Sequence, residues 1–232
     1  MKSEFDLKKL RRYSTPAVAN AVELLGLRSR TDGFFRPGLQ CLMPDAPPVA
    51  GYAVTCTIST AAPDSFGKVE SWDYWEHIEH IPGPRIAVVQ DIDPEPGLGS
   101  FWGEVNANVH KALGCVGAVT NGGARDLEEI ERLGFQMLYA HPCVSHAYVH
   151  ITSIGRPVRF AGLTVTPGDL VLTDRHGALV IPPAAALHLE EAIAEMEHRE
   201  RPVIEYCQSP GFNREELRRQ VELHLRKPSP WA

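Results

Sequence analysis

Between residues 85 and 140 the hydrophobic positions follow one pattern twice over. Arg85-Ile-Ala-Val-Val-Gln-Asp91 and Cys115-Val-Gly-Ala-Val-Thr120 are continuous apolar runs, as in strands buried on both faces of a parallel sheet. Each run leads through a loop into helical spacing: Val105, Val109 and Leu113 stopped by Gly114, then Leu127, Ile130 and Leu133 stopped by Gly134. The order predicts a strand over 85–91, a helix from near 103 to 113, a strand over 115–120, a helix over 126–133 and a strand over 135–140. This is a βαβ unit repeated once.

On either side the pattern changes. Thr15-Pro16 reads as N-cap and first helical position, with Val18, Val22 and Leu25 on one face and Gly26 as the stop. Residues 33–48 are Pro- and Gly-rich and patternless, a connecting loop, and 51–60 alternates Val54, Cys56 and Ile58 with threonines as a half-buried strand would. Residues 61–84 carry Trp72, Tyr74, Trp75, His77 and His80 among acids with only a weak helical signal. After residue 140 come short strands over 158–160, 163–165, 170–173 and 178–181, separated by turns such as Pro167-Gly168-Asp169. Leu189, Ile193 and Met196 then keep helical spacing within 184–207, and a last helix over 213–225 follows Ser209-Pro210-Gly211. These terminal helices are candidates to pack on a partner subunit. No linker and no repeat of solenoid period interrupts the chain, and 232 residues fit one domain on a scale of about 150 residues each.

Composition narrows the function. Twenty-three basic against 29 acidic residues leave a net charge of −6, no field for a polyanion, so nucleic acid is not an expected partner. The charged start, Met1 to Lys9, lacks the apolar region of a signal peptide, and no stretch reaches the roughly 18 apolar residues of a membrane span; a cytoplasmic protein with no membrane partner is expected. Five scattered cysteines without a C-x-x-C pair signal neither a disulfide framework nor a zinc–thiolate site.

Two turns could carry chemistry. Gly97-Leu-Gly-Ser-Phe-Trp-Gly103 runs into a helix N-terminus, where unpaired N–H groups and the helix dipole favour an anion, although Gly-rich strand-to-helix turns also occur without a ligand. It lacks the spacing and the lysine of nucleotide-binding loops. The other turn ends in Arg125-Asp126: an arginine able to clamp a carboxylate and an aspartate able to hold a hard cation, or, equally, an N-cap whose capping box closes with Glu129. Both turns fall at the same end of adjacent parallel strands, placing Glu104 near Arg125 and Asp126. Such a set suits a metal-assisted reaction on a 2-oxo acid, with charge stabilising the enolate left when a C–C bond breaks.

These residues resemble a known family. Glu104, separated by twenty residues from the Arg-Asp pair that ends Gly117-Ala-Val-Thr-Asn-Gly-Gly-Ala-Arg125-Asp126, looks like the motif of class II 4-hydroxy-4-methyl-2-oxoglutarate aldolases of the RraA-like family, which also includes the regulator of ribonuclease E activity. Pro167-Gly168-Asp169 to Pro182 is similar to the family's tail, and Gly51-Tyr-Ala-Val-Thr55 to its early strand. The resemblance covers about 14–182, leaving 184–232 as a C-terminal helical extension. It implies an α/β fold of the swivelling β/β/α type, a homotrimer or dimer of trimers with sites at subunit interfaces, and C–C cleavage of a small 2-oxo acid, including oxaloacetate decarboxylation, through a pyruvate enolate. It further implies that Arg125 binds the pyruvyl carboxylate and carbonyl, that Asp126 holds Mg²⁺ or Mn²⁺, that Glu104 orients a metal-bound water, and that the amides of Gly103, Val105 and Asn106 receive the substrate carboxylate. A neighbouring subunit's acid would complete the metal shell, with Glu191, Glu195 and Glu197 as candidates.

Two departures each remove an acid: Asn121-Gly122 stands where the family commonly has Asp-Gly, and Ala19-Asn20 where it often has Ser-Asp. The spacings of His141, His146 and His150 fit no single helix face, so they are read as lining the site mouth rather than as zinc ligands. The Trp/His-rich 70–80 segment is a substrate lid or, preferentially, an interface patch. Two other functions stay open: a non-catalytic, protein-binding regulator of ribonuclease activity, and an aldolase-like enzyme for a larger or aromatic-derived acid.

Overall fold

The structure is a computed structural model that describes residues 6–64 and 69–231. The first five residues of the charged N-terminal stretch, part of the 61–84 segment and the last residue of the helical extension lie outside them. The chain passes through α1 (Leu7–Leu10), α2 (Thr15–Leu24), β1 (Gln40–Cys41), β2 (Val49–Ser59), α3 (Ser71–His80), β3 (Arg85–Asp91), β4 (Ser100–Trp102), α4 (Glu104–Ala112), β5 (Cys115–Thr120), β6 (Gly123–Ala124), α5 (Leu127–Leu133), β7 (Gln136–Tyr139) and β8 (His141–Pro142). It continues through β9 (His150–Ile154), β10 (Val158–Phe160), β11 (Leu163–Val165), β12 (Leu170–Asp174), β13 (Gly177–Ile181), a 3₁₀ turn (Pro183–Leu187), α6 (Leu189–Cys207) and α7 (Arg214–His224). By internal contacts the described residues group into two units, one of residues 6–15, 31–64 and 69–181, the other of 16–30 and 182–231.

In the larger unit the apolar runs become the middle of one sheet, ordered β1-β7-β5-β3-β2-β12-β13, with β9 also paired to β2. The neighbours β7, β5, β3 and β2 are parallel, and β1, β9, β12 and β13 run antiparallel to the strands they pair with. Alternate residues of each strand face opposite sides. Ala87 and Val89 of β3 join Tyr74 and Ile78 of α3, Ala107 of α4 and Ile130 of α5 in one apolar cluster. Ile86 and Val88 join Val158, Phe160, Leu163 and Val165 of the β10–β11 hairpin in another. Helices, sheet and hairpin thus form the three layers of a mixed α/β fold.

Several expectations change. The 51–60 strand starts at Val49 and is covered on both faces rather than half-buried; Thr55 is fully buried and donates its hydroxyl to the Arg156 carbonyl at 2.7 Å, which satisfies the polar group that sequence alternation placed in solvent. The 61–84 segment holds a ten-residue helix, α3, whose buried side chains are Tyr74 and Ile78, four apart; the histidines and acids between and around them hide this periodicity. Thr15 is not an acceptor cap. Its N–H and hydroxyl both donate to the Asp174 carboxylate, at 2.8 and 2.7 Å.

In the smaller unit Gly26, at φ +67°, closes α2 with its N–H on the Glu23 carbonyl and the Leu27 N–H on that of Val22. The buried Arg199 of α6 accepts no solvent role: it pairs with Glu195 at 2.6 Å and donates to the Lys227 and Pro228 carbonyls at 2.9 Å, pinning the tail. Asn213 caps α7 through the Glu216 N–H at 2.9 Å. No helix among the described residues is long and apolar enough to cross a membrane.

Candidate active site

A second, three-stranded sheet holds the site. β4, β6 and β8 are two- or three-residue parallel strands that follow β3, β5 and β7 in the chain, paired in the order β4-β6-β8. Gly103 leaves β4 directly into α4, and Arg125-Asp126 leaves β6 directly into α5. The Arg125 N–H donates to the Trp102 carbonyl at 3.1 Å, and the Ser100 hydroxyl lies 2.6 and 2.8 Å from the carbonyls of Trp102 and Gly123. The two turns are therefore clamped side by side by backbone hydrogen bonds.

Asp126 is left-handed, at φ 53° and ψ 43°, a conformation that costs a non-glycine residue about 1–2 kcal/mol. It occupies the N-cap position of α5 yet makes no capping bond with its side chain. The capping-box reading is corrected accordingly: Glu129 pairs with Arg132 at 2.7 Å, and the Asp126 carboxylate turns across to α4. Its Oδ2 accepts the Glu104 N–H at 3.0 Å and its Oδ1 lies 3.4 Å from Arg125 Nε. Gly103 makes room for this, since a Cβ there would sit 2.7 Å from Asp126 Oδ2. The side chains of Arg125 and Asp126 remain about one-third exposed.

A cleft of about 600 Å³ opens on this pair. Gly103, Val105, Asn106, Arg125 and Asp126 form one wall. The N–H groups of Val105 and Asn106 lie in the first turn of α4, where a helix provides no acceptor of its own and favours an anion. The Glu104 side chain is exposed and makes no hydrogen bond to any described residue, so the structure brings its backbone, not its carboxylate, onto Asp126.

The facing wall comes from residues 146–150, which sequence spacing marked only through their histidines. His146 and His150 line the cleft, each ring donating from Nδ1 to a carbonyl, of Ala147 at 3.0 Å and Tyr148 at 2.9 Å, so that Nε2 is the second ring nitrogen of each. His141 belongs elsewhere, its Nε2 on the Gly97 carbonyl at 3.2 Å. Phe101, Trp102 and Tyr148 also line the cleft; no motif announces them.

Beneath the wall lies an aromatic cluster. Phe101 stands edge-on to Trp102, His110 and Tyr74, with ring centroids 5.5, 5.9 and 6.3 Å away. His110 is fully buried, Nδ1 bonded to the Asn106 carbonyl at 2.7 Å, and burial pushes its pKa down to about 4. Beside the site, Asn121 explains the first departure: its Oδ1 accepts the Asp91 N–H and its Nδ2 donates to the Asp91 carbonyl, both at 2.8 Å. A carboxylate could make only the first of these bonds. The buried Asp91 side chain accepts from Gly97 and Asp93 N–H groups at 2.8 and 3.0 Å, and burial raises its pKa.

Among the described residues no three His, Cys, Asp or Glu side chains converge as a metal cage. One exposed carboxylate, that of Asp126, still fits a hydrated Mg²⁺-type ion, which takes one or two protein carboxylates and fills its shell with water and substrate oxygens. Of the acids considered for a neighbouring subunit, Glu195 is held by Arg199, Glu191 lies 3.0 Å from His188, and Glu197 is exposed.

The larger unit is thus a parallel-centred α/β sheet with a cleft beside the turns that follow β4 and β6. The sequence profile of the RraA-like family (Aldolase/RraA) matches residues 15–180, and the chain belongs to that family. A protein of Ectopseudomonas mendocina provisionally named a 4-hydroxy-4-methyl-2-oxoglutarate aldolase is 32% identical over 113 residues, 46% of this chain and 66% of that one. An uncharacterized protein from Pseudomonas syringae shares the fold with a TM-score of 0.71 at 23% identity, covering 92% of both chains. Streptomyces coelicolor RraAS2, described as an unusual member of the RNase ES inhibitor RraA family, gives a TM-score of 0.66 at 23% identity over 84% of this chain and 93% of its own. Matches to curated relatives span 17 to 66% of those proteins' own lengths.

Proposed function

We propose that the cleft binds a small 2-oxo acid and cleaves one of its C–C bonds to release pyruvate, by aldol cleavage of the 4-hydroxy-4-methyl-2-oxoglutarate type, by decarboxylation of oxaloacetate, or both. The observation that carries this reading is the Arg125–Asp126 pair, 3.4 Å apart, held against the N-terminus of α4. An arginine, a partly exposed carboxylate and a helix end meet where a 2-oxo acid presents a carboxylate and a carbonyl.

The first-turn N–H groups of Val105 and Asn106 take the substrate carboxylate, and Arg125 bridges carboxylate and 2-oxo oxygen. As the C3–C4 bond breaks, negative charge grows on that oxygen, and the guanidinium, already in place, stabilises the enolate without reorganising. Glu104, exposed at the start of α4, orients a water that takes the C4 hydroxyl proton. Asp126 is the residue that would hold Mg²⁺ or Mn²⁺, and such a cation when bound supplies Lewis-acid polarisation of the 2-oxo group. A trimer or dimer of trimers would bring Glu191 or Glu197 from a neighbour to the site.

The test is pyruvate release from oxaloacetate and from 4-hydroxy-4-methyl-2-oxoglutarate, with Mg²⁺ or Mn²⁺ against EDTA. Metal-dependent release is expected. Absence of turnover with both acids and both metals would transfer the assignment to a non-catalytic, protein-binding regulator of ribonuclease activity.

A further inference from the structure

A second, more enclosed hollow of about 280 Å³ adjoins the cleft, sharing Phe101, Asn106, Val149 and His150 with it. Its other walls come chiefly from α3 and β9: Tyr74, Trp75 and Ile151, with Glu70 and Ser71 at the start of the helix. The fold thus brings the Trp-rich segment, whose role the sequence left between lid and interface, to the side of the cleft lined by Phe101, Asn106, Val149 and His150.

We propose that this annex is the specificity pocket for the distal half of the substrate, and that this half is a neutral aromatic group. The inference rests on the lyase reading above and deepens it. Four features select an aryl group. Its aromatic side is stiff, because Tyr74 is fully buried and Phe101 is fixed edge-on among Tyr74, His110 and Trp102, so a ring packed there costs little entropy, while Ser71, Asn106 and His150 make the rest of the lining polar. The space suffices, since an apolar cavity of about 150 Å³ already accepts benzene. Glu70 lines the hollow at the start of α3, and its negative charge disfavours a second substrate carboxylate but not an uncharged ring. Trp75, one-third exposed, offers a face for stacking that nothing in the core requires.

The substrate class is then a 4-aryl-4-hydroxy-2-oxobutanoate. Its C3–C4 bond breaks while the C4 hydroxyl loses its proton to water. C4 leaves as an aromatic aldehyde, and C3 of the enolate takes a proton from solvent to give pyruvate, with no oxidant or further reactant.

Two measurements test this. Calorimetric titration with 2-oxo-4-phenylbutanoate and 2-oxobutanoate at equal Mg²⁺ should show the aryl acid binding at least tenfold tighter. Trp75→Ala should remove most of that advantage and Trp75→Phe restore it. In pyruvate release, the ratio of kcat/KM for the aryl substrate to that for oxaloacetate should fall at least tenfold in Trp75→Ala. Equal affinity for the two acids, or an advantage untouched by Trp75→Ala, overturns the proposal. Tight, Trp75-dependent aryl binding without turnover of any 2-oxo acid leaves the annex standing and overturns the lyase reading instead.

Discussion

The carboxylate of Asp126 accepts the backbone N–H of Glu104 at 3.0 Å, across 22 positions of sequence. This one bond ties the turn after β6 to the first turn of α4 and leaves Asp126 Oδ1 beside Arg125. The residue that would carry a cation is thereby oriented by the helix end that would carry the substrate's anion.

Removing either charge should stop the chemistry and spare the fold. Arg125→Ala and Asp126→Asn are expected to lower kcat/KM for pyruvate release at least a hundredfold, with Tm within a few degrees of wild type, because both side chains are about one-third exposed and Asn tolerates the left-handed backbone. Asp126→Ala adds a backbone cost of about 1 kcal/mol, visible as a lower Tm than that of Asp126→Asn.

Gly103→Ala tests whether the carboxylate's position matters. Gly103 has φ −161°, open to any residue, so the added methyl meets no backbone strain; it meets Asp126 Oδ2 at 2.7 Å. The carboxylate must move, and a fall of tenfold or more in kcat/KM is expected with near-native circular dichroism. A variant as active as wild type would show that the exact placement of Asp126 is immaterial.

Asn121→Asp restores the acid that the family commonly carries, and it should destabilise this chain. It replaces the Nδ2 donor to the Asp91 carbonyl with an oxygen, beside an already buried carboxyl. A loss of about 1–3 kcal/mol is expected in urea unfolding at pH 7, shrinking as acid protonates the new group and lets it donate.

Acid should weaken the fold through His110. Its pKa is about 4 folded, against an ordinary 6.5, so the unfolded state binds the extra proton between those values. Stability from this group is complete above pH 6.5 and is lost as pH falls toward 4, by up to about 3 kcal/mol. Asp91, raised by burial, contributes in the opposite sense, losing stability as pH rises through its folded pKa. The comparison to make is Tm against pH for wild type and His110→Gln: the wild-type slope between pH 6.5 and 4.5 should be the steeper.

How much of this the sequence reveals depends on element length. The strands over 85–91 and 115–120 declare themselves because four and five consecutive residues are apolar, and α4 and α5 because glycines stop them. The second sheet is silent, since Ser100–Trp102, Gly123–Ala124 and His141–Pro142 are too short for any periodicity and acquire strand geometry only from each other. The polar half of the site is legible as Arg125-Asp126 and Glu104, but not the turn of Asp126 toward α4, because a local capping box was an equally good reading of the same letters. The aromatic half is not legible at all: Tyr74, Phe101 and Val149 meet only through the packing of α3, β4 and the segment before β9.

The ladder of β4, β6 and β8 has a consequence for how such a protein can change. Because Gly103 and Arg125 hang from adjacent rungs, no substitution can shift one without shearing the other, so the reacting end of the cleft behaves as a single casting. Residues 146–150 and α3 lie outside that ladder, the former tied instead to the end of β2 by the Ser59–His150 pair and by the Tyr148 N–H on the Thr60 carbonyl. New substrates can be admitted by recutting that wall alone, one side chain at a time, while the bond-breaking end is inherited unaltered.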